Sequence, residues 1–123
     1  MKLTQEPSAG EYRIRRFEQG RLTINEQEFT ASLIVTADHL IGDWPPQTFD
    51  ELTEPHLDSI LELDPEVVLL GTGDQQQFPD RELLRAFLTR GIGVEVMDTR
   101  AASRTFNVLA GEGRRVAAAL FLR

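Results

Sequence analysis

Three stretches of this chain, Val67 to Leu70, Ile92 to Met97 and Val116 to Leu122, are apolar but for Glu95, and segments with helical spacing separate them. A strand with one wet face alternates apolar and polar residues, whereas a strand covered on both faces reads as a continuous apolar run. The alanines of Val116 to Leu122 would by themselves permit a helix. Seven apolar residues with no polar face, bounded by Arg114-Arg115 and Arg123, fit a covered strand better.

The intervening segments carry helix signals. Thr53 caps a helix whose first turn accepts Pro55, whose inward face is Leu57, Ile60 and Leu61, and which stops before Asp64-Pro65. A second helix starts near Pro79-Asp80, buries Leu83, Leu84, Phe87 and Leu88, and ends at Gly91 in a left-handed cap. Asp98 or Thr99 caps a third helix with Ala102, Phe106 and Leu109 inward, closed by Gly111. Strands linked by such helices cross over right-handedly and run parallel. With the apolar run Ser32 to Thr36 added, four parallel strands are expected.

Ahead of these, residues 1–11 are polar, hold Pro7, Ser8 and Gly10, and read as a loose leader. Tyr12 to Arg15 and Arg21 to Ile24 alternate around Gln19-Gly20, and Asn25-Glu26 offers a second turn, so antiparallel hairpins are expected. The fold class is therefore α/β: three layers, about four mainly parallel central strands with helices on the faces, and an N-terminal β-hairpin layer. At 123 residues the chain suffices for one domain, placed at 12–123, burying roughly two-thirds of its unfolded surface.

Composition removes several function classes. Without Cys there is no disulfide framework, zinc-thiolate site or thiol nucleophile. No apolar run approaches the roughly 20 residues that span a bilayer, and no apolar signal core follows Lys2. A cytoplasmic protein is expected. From Leu22 to Asp80 there is no Lys or Arg among the acids, whereas both flanks carry net positive charge, within a total of -7. The acidic balance argues against nucleic acid as a partner and leaves room for a local Arg site that takes an anion.

Chemistry in an open parallel sheet gathers at the carboxyl ends of the strands. Gly71-Thr72-Gly73 forms one such end, and its paired glycines permit a tight turn or close backbone approach to a ligand. It lacks a third phosphate-loop glycine, and Asp74 puts negative charge where a phosphate would sit. The second end runs from Glu95 through Met97 to Thr99 and into a helix with Arg104, Thr105 and Asn107. Hydroxyls, Arg100 or Arg104 and free N–H groups are candidates there for a carboxylate or phosphate. Thr99 as a cap, Met97 as core filler and Arg104 in an ion pair are the structural alternatives.

Glu95 shares its strand face with Gly93 and Met97. A covering helix would desolvate it, making it a base or an ion-paired carboxylate with Arg115 as partner. His39 and His56 lie 17 apart without a second ligand at helical spacing, so no metal is expected. No nucleophile-elbow motif is present. Asp43-Trp44-Pro45-Pro46 is either an exposed contact loop or the cover of one end of the core.

The segments Leu70 to Gly73, Gly91 to Thr99, Ala102 to Leu109 and Glu112 to Leu120 together resemble domain-of-unknown-function family four-nine-eight, the Mth nine-three-eight-like domains. Eukaryotic relatives include a mitochondrial assembly factor of respiratory complex I and an adipogenesis-associated protein. The resemblance, from about Thr30 to Leu122, implies a three-layer α/β domain and no assigned enzyme activity. The function expected is non-enzymatic protein binding or complex assembly, with small-anion binding or catalysis at the strand ends as the alternative. A protein partner or small anionic ligand, no cofactor and a monomer or weak homo-oligomer complete the expectation.

Overall fold

The computed structural model describes residues 4–5 and 11–123. Nine strands are found among them: β1 (Thr4–Gln5), β2 (Ile14–Glu18), β3 (Arg21–Ile24), β4 (Gln27–Phe29), β5 (Leu33–Val35), β6 (Leu40–Ile41), β7 (Val67–Thr72), β8 (Gly93–Met97) and β9 (Val116–Phe121). The helices are α1 (Asp58–Leu61), α2 (Arg81–Leu88) and α3 (Thr99–Gly111), with 3-10 turns at Phe49–Glu51 and Glu54–Leu57. The rest of the expected leader, residues 1–3 and 6–10, lies outside the described residues.

Six strands form the central sheet in the order β1-β6-β5-β9-β7-β8. β7 pairs in parallel with β8 on one side and β9 on the other. The two crossovers run in opposite directions across the sheet, so right-handedness sends α2 to one face and α3 to the other. Phe87 of α2 accordingly packs with Val68, Leu70 and Ala119, while Ala102 and Phe106 of α3 pack with Leu69, Ala118 and Leu120. Every residue of β7 and β9 is buried, as expected of strands covered on both faces.

β5 corrects the expectation of four parallel strands, because it lies antiparallel to β9, with Leu33 opposite Leu120. No crossover helix joins β5 to its neighbour β9. Its direction is set instead by the tight link to β6, where the Thr36 N–H donates to the His39 carbonyl (2.8 Å).

The N-terminal layer is the three-stranded antiparallel sheet β2-β3-β4. Gln19 (φ 52°) and Gly20 (φ 75°) are both left-handed, the geometry whose twist suits a two-residue hairpin. Ile14, Phe17, Leu22 and Ile24 point inward and join the α3 side of the core.

Three helix details depart from expectation. The segment after Thr53 opens as a 3-10 turn and only then becomes α1, with the His56 ring accepting from the Thr53 N–H (3.0 Å). In α2, Phe87 is fully buried but Leu88 is 61% exposed, because the short helix presents a narrow stripe to an edge strand. Gly111 is the last residue of α3 rather than its stop; Gly113 (φ 81°) carries the left-handed turn. Trp44 is buried against Phe121 (ring centroids 5.1 Å apart), so its loop covers one end of the core.

Candidate functional site

The strand-end constellation folds into a closed hydrogen-bond knot. Thr99, the first residue of α3, is fully buried. Its hydroxyl donates to the Phe121 carbonyl (2.5 Å) and accepts from the Gly73 N–H (2.8 Å), and its own N–H donates to the Gly73 carbonyl (2.9 Å). One side chain thereby ties the ends of β7 and β9 to the start of α3. Thr72 turns its hydroxyl to the Gln75 carbonyl (2.6 Å) and accepts from the Gln77 N–H (3.1 Å).

Gly71 is required by proximity rather than by torsion. A Cβ there would stand 2.8 Å from Leu120 Cδ2 and 3.0 Å from Thr99 Oγ1. Gly73 (φ 97°) adopts a left-handed backbone, and a Cβ would run into the Arg123 carbonyl. Of the two helix caps considered, Asp98 takes the role and accepts from the Ala101 N–H (2.8 Å).

The remaining expected residues part company. Met97 packs partly buried against the α3-side core and receives the Thr105 hydroxyl at its sulfur (3.5 Å). Glu95 is exposed, which corrects the expectation of a desolvated carboxylate: it lies in the middle of β8, the edge strand of the sheet. Nor is Arg115 its partner. Arg115 and Arg114 turn to Glu66, whose carboxylate accepts from the Arg115 backbone N–H (3.1 Å) and the Arg114 Nε (3.1 Å). Those bonds, the backbone one foremost, hold the Glu66 carboxyl below its ordinary value.

Asn107 is a clamp. Its side-chain oxygen accepts from the Ile14 N–H (2.9 Å) and its amide donates to the Ile14 carbonyl (2.8 Å), fastening the hairpin layer to α3.

Arg104 points away from the strand ends into an open cleft of about 230 Å³ between β2 and α3. Arg15, Arg16 and Glu18 of β2 line it opposite Arg100 and Arg104. The Arg100 guanidinium lies over the Phe17 ring, 5.8 Å from its centroid. None of these four arginines is in an ion pair among the described residues. Arg100 and Arg104 stand out in the sequence as candidates, whereas Arg15 and Arg16 do not, because only the docking of β2 on α3 brings them beside the helix. A larger cleft of about 400 Å³ opens near the start of β9, lined in part by Asp38, His39, Arg114 and Arg115. Asp38 accepts there from the His39 ring (2.9 Å) and is held below its ordinary value chiefly by that bond. No group of three or more potential metal ligands occurs among the described residues.

These features define a small three-layer α/β domain with a closed strand-end knot and an open arginine-lined flank. The chain belongs to the family described as "Protein of unknown function (DUF498/DUF598)", whose model matches residues 14–121.

Among curated relatives, it is 30% identical over 118 residues to a "13 kDa major membrane protein" of Francisella tularensis, covering 94% of this chain and 95% of that one. To the bovine "NADH dehydrogenase [ubiquinone] 1 alpha subcomplex assembly factor 3" it is 42% identical over 82 residues, 65% of this chain and 45% of that one. The chain thus spans about half the length of the assembly factors it matches. A solved structure from Xanthomonas campestris superposes with a TM-score of 0.85 at 46% identity, covering 96% of this chain and 89% of the other. A Bordetella pertussis protein described as an Mth938-like domain superposes with a TM-score of 0.81 at 30% identity, covering 98% and 92%. The resemblance read from the sequence thus holds. No helix among the described residues is long and apolar enough to cross a membrane.

Proposed function

We propose that this chain is a non-enzymatic protein-binding domain of the complex-assembly type, working in the cytoplasm. The observation that carries the reading is the knot at the strand ends. The groups best placed for chemistry there are already engaged: the Gly73 N–H donates to the Thr99 hydroxyl, and that hydroxyl donates to the Phe121 carbonyl. A ligand would have to displace buried hydrogen bonds, each loss leaving a group unsatisfied at a cost of about 1–3 kcal/mol. The names of the assembly-factor relatives support the same reading.

Cross-linking in the cell, followed by gentle lysis and sizing of the tagged chain, is expected to show a stoichiometric partner in a complex of defined size. Migration of all of it as the free chain overturns the reading. A thermal-shift screen against phosphates, nucleotides and small carboxylates is expected to be flat; ligand at a hundredfold excess over its Kd would add about 2.7 kcal/mol, a visible shift. Such a shift, abolished by Thr99→Val, would move the function to the strand ends. Fractionation without detergent tests the cytoplasmic placement.

A further inference from the structure

We infer that the flank formed by β2 and α3 docks an acidic segment of a protein partner. This deepens the protein-binding reading and rests on it. Arg15, Arg16, Arg100 and Arg104 converge on one cleft against a single carboxylate, Glu18, so the lining carries a net excess of three positive charges. None of the four is neutralised by an ion pair among the described residues. Like charges gathered this way repel, and an incoming row of carboxylates relieves that repulsion while offering guanidinium groups their preferred bidentate geometry.

The acidic segment Phe49 to Leu61 does not fill this role within one molecule. The segment Phe49 to Leu61 packs its apolar side chains on the α2 face of the central sheet, whereas α3 and β2 belong to the opposite face. The exposed acids of that segment, Asp50, Glu51, Glu54 and Asp58, therefore sit across the sheet from the arginine cleft.

The shape of the flank selects a polypeptide over a small anion. The neutral donors beside the arginines are engaged: Ser103 gives its hydroxyl proton to the Thr99 carbonyl (2.8 Å), and Asn107 is held by Ile14. What remains is a line of long side chains, extended along α3 by Val108, which is 58% exposed. Arg100, Arg104 and Val108 recur every four residues and form one exposed stripe, suited to a segment whose acidic residues precede or follow an apolar one. A net charge of -7 disfavours nucleic acid as the occupant.

The test uses a fluorescein-labelled poly-glutamate peptide and the intact chain, read by polarisation. Binding is expected to weaken steadily with added salt. It is expected to fall at least about tenfold in the R100E/R104E variant and to stay unchanged in R81E/R85E, which reverses two exposed arginines on the other face. Thermal melts of both variants check that each is folded. An equal loss in both variants marks generic attraction and overturns the proposal, as does an absence of salt-sensitive binding. Displacement of the peptide by inorganic phosphate far below the ionic-strength effect of sodium chloride assigns the cleft to a small anion and likewise overturns it. A cross-linked partner retained equally by wild type and R100E/R104E overturns this site while sparing the protein-binding reading, whereas loss of every partner from the wild type removes both.

Discussion

Thr99 shows how one hydroxyl decides local architecture. It is buried without a charge, supplies one donor and one acceptor, and meets a carbonyl of β9 and an N–H after β7. Thr99→Val keeps the volume but orphans both partners, so a loss of about 1–3 kcal/mol in urea unfolding is expected. Gly71→Ala should cost a similar amount by forcing Leu120 and Thr99 apart, and a double-mutant cycle with Thr99→Val should show coupling because the two sites touch. The types of these residues were legible in the sequence as candidates for a site. Their mutual saturation was not, since it depends on bringing residues 71–73, 99 and 121 to one point.

At the scale of elements, α2 and α3 differ in how much of each is held. α3 lies between the central sheet and the hairpin layer and is clamped by Asn107; α2 rests on an edge. Asn107→Ala leaves the Ile14 backbone groups without their partner. It should lower stability by about 1–3 kcal/mol and raise amide exchange in β2 before the rest of the chain. For α2, Phe87→Ala is expected to cost about 3–5 kcal/mol, whereas Leu88→Ala should stay within about 0.5 kcal/mol. Denaturant melts of the two would separate the buried stripe from the exposed one. Periodicity found both helices; it overreached at Leu88 because spacing records which residues share a face and not how far a neighbour covers it.

Over the whole molecule, the acidic stretch and the C-terminal arginines meet at one carboxylate. The ion pairs joining the C-terminal arginines to the acidic stretch both end on Glu66, which links the loop before β7 to the loop before β9. Its carboxyl sits below its ordinary value in the folded state, so its stabilising contribution is complete above the unfolded value of about 4.3 and is lost as pH falls through the lower folded value. Asp38, lowered by His39 and Thr36, acts in the same direction. Thermal melts of wild type and Glu66→Gln should therefore differ at neutral pH and converge in acid. A difference that grows on acidification would refute the linkage. By itself the sequence determined the layers: runs apolar on both faces have to be covered, helical stripes have to cover them, and right-handed crossovers put the helices on the faces. Only the tertiary structure decided the direction of β5, the exposure of Glu95 and the gathering of four arginines on one flank. Each depends on which element lies beside which, and period along the chain carries no record of that.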